Sequence, residues 1–186
     1  KVDHGEWKDA LNLAGIQAPN GLMSELLRLR LVVREHQHGD WYFVHGMFRA
    51  AILAHIEAKN RTTEWSSICA DVIPDKPLDI ARKARLLVAS NRTVEALRPL
   101  HYAVVKELLN GDWGRALELG ELRSNIVKGV DIDPDGIHAL DTEITNLYLI
   151  RGKGRTAHIL KESESLITWA TRLEEWDACA QMYMSL

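Results

Sequence analysis

The 186-residue sequence lacks an excess of charge of either sign, and its formal net charge is −3. Divided at Asp75, the first part carries eight Lys and Arg against ten Asp and Glu, and the second part carries fifteen against sixteen. Neither part has the basic patch by which proteins bind a phosphate backbone. Direct DNA binding is therefore not expected.

Cysteine is scarce, since only Cys69 and Cys179 occur and neither belongs to a CxxC pair. A zinc site and a disulfide framework are thus not encoded, and both residues are expected to be buried free thiols of a reducing compartment. No apolar run approaches the roughly 18 residues of a membrane helix, and no signal peptide is recognisable. These absences predict a cytoplasmic protein without a membrane segment.

Signals of catalysis are absent as well. The sequence contains no GxxxxGK[ST] phosphate loop, no nucleophile with a neighbouring base and no paired carboxylates of a hydrolase. We expect that this segment is not an enzyme and does not hydrolyse ATP. Because it begins at Lys1 without Met and stops within a helical pattern, we also expect it to be a segment of a longer protein.

The residues that are present, 46% apolar and 26% charged, are typical of a folded protein. The spacing of the apolar residues, mostly three or four positions apart, predicts a mainly α fold. A first helix over 6–14 carries its apolar face on Trp7, Ala10, Leu11 and Ala14 and ends at Gly15, and a second carries Leu22, Met23, Leu26, Leu27 and Arg30 on one face.

Two short β-rich runs follow, over 31–35 and 41–44, joined by a polar loop over 36–40. Helix, helix and hairpin is the order of a winged helix, which we predict for residues 1–60. The loop histidines His36 and His38 are a candidate metal pair, although two imidazoles without a third ligand favour a solvated loop.

Beyond the hairpin, the apolar residues again recur at the spacing of a helix. A stripe made of Phe48, Ala51, Ile52, His55 and Ile56 predicts a helix that ends at Asn60, with His55 as an interior residue. A linker helix is predicted within 61–76, carrying Trp65, Ile68, Cys69 and Val72 on one face.

Residues 77–186 contain an internal repeat in which a polar or glycine-containing turn precedes a small residue. The marker residues Ala96, Ala116, Ala157 and Ala178 are 20, 41 and 21 positions apart. Helices recurring about every 20 residues predict an α-solenoid of tetratricopeptide-like hairpins. The acidic stretch over 131–136 lacks the ligand order of a calcium loop and is interpreted as a helix-to-helix turn. Core packing is expected of Trp7, Trp65, Trp113, Trp169 and Trp176.

The stretch Tyr42–Arg49, supported by the helical turn from Gly111 to Ala116, resembles a known class. It is similar to the region after the ATPase core of STAND-class signal-transduction ATPases, such as the maltose-regulator type of bacterial transcription activator. Many relatives have a histidine in the helix after the winged unit. This sequence has Glu64 and Trp65 there, so the role of that histidine is not carried over.

The resemblance implies a regulatory, non-catalytic segment. The winged helix would restrain an upstream nucleotide-binding domain of the same chain, which would bind ADP or ATP, and the helical repeats would bind an effector or partner protein in their groove. Only His45 maps onto the position that contacts the diphosphate of ADP. A free-standing α-solenoid adaptor that binds proteins without nucleotide is the alternative.

His45 and Arg49 also have structural interpretations. A histidine at a strand-to-helix corner can cap the helix or satisfy a hairpin carbonyl. Arg49 can pair with a carboxylate or a helix end, and its functional alternative is a phosphate contact beside His45. The sequence alone leaves these alternatives open.

Overall fold

The computed structural model describes residues 2–34, 41–152 and 159–185, and this part of the chain is mainly helical, as predicted. It divides into two compact units, Lys1–Pro74 with Arg85–Arg92, and Asp75–Ala84 with Thr93–Leu186. The finer boundaries 1–60, 61–76 and 77–186 stay predictions. Within the described ranges, none of the helices has the length and apolar character needed to cross a bilayer.

The first unit places short helices around a small sheet. Its elements are β1 (Val2–Asp3), α1 (His4–Leu13), α2 (Leu22–Arg28), β2 (Val32–Arg34), β3 (Trp41–Val44), α3 (Gly46–Ala58) and α4 (Thr62–Val72). The strands are antiparallel in the order β1-β3-β2, and Val32 lies opposite Val44. The pairing of β2 with β3 was expected, whereas the loop that carries His36 and His38 lies outside the described residues.

Local hydrogen bonds fix the ends of the first two helices. Helix α1 begins before the predicted start because Asp3 Oδ1 accepts hydrogen bonds from the amides of Gly5 (2.8 Å) and Glu6 (3.2 Å). It ends as predicted at Gly15, whose φ of +67° suits glycine. The inclusion of Arg30 in the face of α2 was wrong, since Arg30 has a φ of +55° and lies beyond the helix end.

Helix α3 is only sparsely covered by the described part of the chain. Asn60, with a φ of +53°, follows its end as predicted. Of the predicted apolar stripe, Phe48 and Ile56 are half-buried, whereas Ala51, Ile52 and His55 are exposed. The interior position predicted for His55 was therefore wrong, because the described part of the chain packs only sparsely on α3.

The second unit is built from consecutive packed helices. They are α5 (Ile80–Ala89), which contributes residues to both units, α6 (Thr93–Leu109), α7 (Trp113–Gly129), α8 (Ile137–Gly152), α9 (Ile159–Arg172) and α10 (Trp176–Ser185). Helix α6 packs on α7 and α8, α8 packs on α9, and α9 packs on α10. From α6 onward the helix starts recur at about the predicted interval.

Three turns share one backbone conformation that the internal repeat reflects. Asn91, Gly111 and Glu174 follow α5, α6 and α9 with φ values of +62°, +78° and +58°. The fifth residue after each is Ala96, Ala116 or Cys179, and all three are buried. The repeat predicted Ala178 as the small residue after the last turn, but Cys179, the next residue, lies at the equivalent position, and both are buried. The fourth marker, Ala157, lies outside the described residues.

The acidic stretch over 131–136 is the predicted turn, here between α7 and α8. Asp133 Oδ1 accepts a hydrogen bond from the amide of Asp135 (3.0 Å), which closes the turn locally. The indole N–H of Trp169 on α9 donates to the carbonyl of Asp135 (3.1 Å). A neighbouring helix therefore holds the turn in place.

Core packing was a correct expectation for only some of the tryptophans. Trp7, Trp65 and Trp169 are half-buried. Trp113 and Trp176 are exposed, because each is the first residue of its helix and a helical side chain is directed toward the N-terminal end, here past the end of the helix. Both free cysteines agree with prediction, although Cys69 is only half-buried.

The small residues after the turns are expected to be intolerant of added volume. Ala96→Leu and Ala116→Leu should each lower the free energy of unfolding by about 1–3 kcal/mol, since overpacking a closed core displaces its neighbours. Urea unfolding followed by circular dichroism measures this, with Ala180→Leu on the exposed side of α10 as the control. Equal stability of all three variants would contradict close packing at these sites.

Candidate functional site

His45 and Arg49, expected to contact a nucleotide phosphate, lie one helical turn apart at the start of α3. The amide of His45 donates to the carbonyl of Leu31 (2.8 Å), and its carbonyl accepts the amide of Arg49 (2.9 Å). Both side chains are exposed, and with the described residues the imidazole forms no capping hydrogen bond. The backbone is thus fixed while both side chains remain accessible to solvent.

Metal binding finds no support in the described part of the chain. Within these ranges no group of three or more His, Cys, Asp or Glu side chains is arranged to hold an ion. His36 and His38 lie outside these ranges, so the described structure does not test whether they form a metal pair.

A groove runs along α6 and α10 of the second unit. It consists of a cavity of about 710 Å³ beside the Asp75–Ile80 segment and a cavity of about 310 Å³ that reaches α8. Both are lined by Val105, Leu109 and Gln181, so the two cavities adjoin each other. We call this feature the α6–α10 groove, with walls that include Tyr102, Lys106, Leu109, Trp113, Gln181 and Met184.

The smaller cavity is mainly apolar and open to solvent. Leu109 and Met184 on its rim are 75% and 79% exposed. The Trp113 ring lies against Gly152 and leaves no room there for a Cβ. Tyr148 Oη donates to the carbonyl of Gln181 (3.0 Å), which joins α8 to α10. This end of the groove therefore combines exposed apolar side chains with an aromatic wall held in place.

A buried cation lies in the interior of the same unit. Arg123 on α7 is almost fully buried, and its Nε donates to the carbonyl of Leu97 on α6 (3.0 Å). Its Nη1 donates to Thr142 Oγ1 (2.7 Å) and its Nη2 to the carbonyl of His138 (3.1 Å), both on α8. Burial lowers the pKa of Arg123 from its usual range. A guanidinium nonetheless stays charged at neutral pH, so it ties three helices together.

His101, Asp141 and Thr145 form a second buried polar group. His101 Nδ1 lies 2.8 Å from Thr145 Oγ1, and its Nε2 lies 3.7 Å from Asp141 Oδ1. The Thr145 hydroxyl donates to the carbonyl of Asp141 (2.6 Å), so its oxygen is left to accept the Nδ1 proton of His101. The hydroxyl, imidazole and carboxylate are the components of a catalytic triad.

The geometry does not support catalysis at this triad. All three side chains are at most 3% exposed, so a substrate in solvent cannot reach them in this conformation. The ring nitrogen that faces the hydroxyl carries a proton, whereas a general base would present a lone pair there. The group is a packed polar network of the core.

Burial sets the protonation of this network. It raises the pKa of Asp141 to about 6, against the opposing positive charges of Arg98 and Arg123. Burial also lowers the pKa of His101 to about 3, and here the same two arginines act in the same direction. At neutral pH the imidazole is therefore neutral and the carboxylate is largely charged.

Arg98 joins the network to the groove. Its Nε lies 3.9 Å from Asp141 Oδ2, and its Nη1 donates to Glu175 Oε1 (3.2 Å) just before α10. The guanidinium carbon lies 5.6 Å from the centre of the Tyr102 ring, and both residues line the larger cavity. This end of the groove is thus built from residues whose positions the interior fixes.

Sequence reasoning missed these residues. The available signal was a charged residue on an apolar stripe, since Arg123 follows the buried Leu119 by one helical turn, and His101 follows the buried Leu97 in the same way. The partners could not be found from that signal, because they lie on other helices.

Comparisons of the chain with protein families, with curated proteins and with solved structures find no match.

The opposing pKa shifts of Asp141 and His101 predict a specific pH dependence. The pKa of Asp141 is higher in the folded state, so this group makes the fold more stable as pH falls. His101 has a lower pKa in the folded state and does the opposite below its unfolded pKa. Asp141→Asn removes the contribution of Asp141 and keeps that of His101. Between about pH 7 and pH 4, the wild type should therefore gain about 2 kcal/mol of unfolding free energy relative to the variant.

Urea unfolding of both proteins at stepped pH measures this difference, and groups common to both proteins cancel. Glu143→Gln, which changes an exposed carboxylate on the same helix, is the matched control. A difference between wild type and Asp141→Asn that does not vary with pH would show that Asp141 titrates alike in the folded and unfolded states.

Proposed function

We propose that this chain is a non-catalytic protein-interaction segment, whose second unit binds an effector or partner protein in the α6–α10 groove. The observation that carries the proposal is the pair of adjoining cavities along α6 and α10, which share Val105, Leu109 and Gln181 in their linings. Concave surfaces between packed helices bind partner segments by presenting apolar pockets with a polar rim. The lining of the groove has this composition.

Exposed apolar side chains support the same proposal. Leu109 and Met184 leave most of their surface in solvent, whereas Val105 and Met182 on the same two helices are buried. Such side chains on the rim of a cavity mark interaction sites more often than isolated ones do. Trp113 between them supplies the kind of aromatic anchor on which binding energy concentrates.

We extend the proposal to the architecture of the second unit, which we regard as a short tetratricopeptide-like α-solenoid. The support is the packing of α6 on both α7 and α8, together with the repeated left-handed turns. In solenoids, alternate helices line the concave surface. Helices α6, α8 and α10 contribute most of the residues that line the smaller cavity, and α7 contributes Trp113 at its first position.

For the first unit we propose a winged helix that restrains the nucleotide-binding core of a STAND-type ATPase, in line with the resemblance of Tyr42–Arg49 to that class. The order α1, α2, β2, β3 and the accessible pair His45 and Arg49 support it. ADP or ATP would belong to that core, with His45 and Arg49 reaching a phosphate. A free-standing adaptor without nucleotide linkage is the alternative.

Selection from a random peptide display library tests the groove. We expect peptides whose affinity falls about tenfold or more in Leu109→Ser and Met184→Ser, since truncating a central anchor costs at least about 2 kcal/mol. Leu160→Ser on α9 is the control, because Leu160 is likewise exposed but lies away from the groove. Failure to select any peptide, or equal binding to all variants, would rule out the proposed groove function.

The nucleotide link requires a protein that carries this chain after an ATPase core. There, His45→Ala should weaken ADP binding about tenfold, because a hydrogen bond to a charged group contributes about 1.5–3 kcal/mol. Isothermal titration calorimetry measures it, with the exposed His55→Ala on the same helix as control. Unchanged ADP affinity in His45→Ala would favour the adaptor.

A further inference from the structure

A cavity of about 360 Å³ lies within the first unit, which we call the first-unit cavity. Residues of α1, α2, α3 and the three strands line it. The lining reaches from Val32 and Tyr42, which are 5% and 8% exposed, to Ile52, which is 40% exposed. The cavity thus extends from the interior of the unit to its surface, and its size is that of a site for a small organic molecule.

The helices around this cavity do not fill it. Among the described elements, α1 packs on α4 and β1, α2 packs on β2, and α3 packs on α4. Neither α2 nor α3 has a fully buried residue. Trp7, Leu26 and Phe48 line the cavity and are only half-buried. A molecule seated there would therefore remove from water apolar surface that the fold leaves exposed.

His4 contributes an unsatisfied polar atom to the lining. Its Nδ1 is buried and finds no hydrogen-bond partner among the described residues. The centre of the imidazole lies 6.2 Å from that of the Trp7 ring and 6.0 Å from that of the Tyr42 ring, so two aromatic side chains hold it in place. Because a buried nitrogen without a partner is unfavourable, a ligand that forms a hydrogen bond with it gains affinity.

The charge of the lining disfavours an ionic ligand. Among the described residues that line the cavity, Asp3 is the only Asp, Glu, Lys or Arg. Its Oδ1 already accepts the amides of Gly5 and Glu6 at the start of α1. An anion would find no lysine or arginine in this lining, and a cation would exchange water for a mainly apolar surface. A neutral molecule is therefore favoured.

We propose that the first-unit cavity binds a neutral aromatic small molecule that carries a hydroxyl group. Its rings would pack on Trp7, Tyr42 and Phe48, and its hydroxyl would form a hydrogen bond with His4 Nδ1. A hydroxyl both donates and accepts, so it matches either tautomer of the imidazole. This inference concerns the first unit alone and does not rest on the peptide-binding groove of the second.

Three probes of similar size test the inference. The first, 2-naphthol, carries the hydroxyl, whereas 2-methylnaphthalene replaces it with a methyl group and 2-naphthoate replaces it with an anionic carboxylate. Each probe is titrated into the isotopically labelled whole chain, and the amide shifts measured by NMR give both the binding site and the affinity. His4→Phe is titrated in the same way, with His55→Phe as the matched control, because His55 is exposed and does not line the cavity.

We expect 2-naphthol to shift amides of the lining residues and to bind about threefold to tenfold more tightly than 2-methylnaphthalene, which is the contribution of one hydrogen bond. The anion 2-naphthoate should bind more weakly than 2-naphthol. His4→Phe should abolish the preference for the hydroxyl, and His55→Phe should keep it.

Equal affinity of the wild type for 2-naphthol and 2-methylnaphthalene would overturn the inference. Tightest binding of 2-naphthoate, or no shifts at the lining residues with any probe, would overturn it as well. These three comparisons use the wild type, so they decide the matter even where His4→Phe fails to fold.

Discussion

The buried guanidinium of Arg123 is the constraint on which the second unit depends. A charge in a closed core is tolerated only where its N–H groups find acceptors, and loss of one hydrogen bond to a charged group costs about 1.5–3 kcal/mol. Its acceptors are the carbonyl of Leu97 on α6, and the carbonyl of His138 and the hydroxyl of Thr142 on α8. Helices α6, α7 and α8 can therefore not slide past one another without stranding a positive charge.

Helix α6 connects this constraint to the groove, because one side of the helix faces the buried network and the other side lines the groove. Toward the interior, α6 presents Leu97 and His101, which the network of α7 and α8 holds. Toward the groove, it presents Arg98, Tyr102 and Leu109. Because the ion pair of Arg98 with Glu175 positions the start of α10, the interior also fixes the opposite wall. A preformed groove of this kind binds without the cost of ordering its own walls.

Features encoded by neighbouring residues were predictable, and features that depend on distant residues were not. Gly15, Asn60 and Gly111 end their helices with positive φ values because the local chain determines a turn. The burial of Ala96 and Ala116 followed from the repeat for the same reason.

Exposure was harder to predict, because it depends on which elements cover a helix. His55 has an interior pattern yet lies exposed, and Trp176 looks like a core residue yet starts a helix at the surface. Of the candidate sites, the sequence drew attention to His45 by resemblance and to Arg49 as its neighbour, while the groove depends on helices that are distant in the sequence. A titration of the isotopically labelled chain with a groove-selected peptide, followed by NMR, tests the account most directly. If the peptide binds in the groove, shifts appear at Lys106, Leu109, Trp113 and Met184 with little change on α9, whereas shifts confined to α9 or to the first unit would contradict binding there.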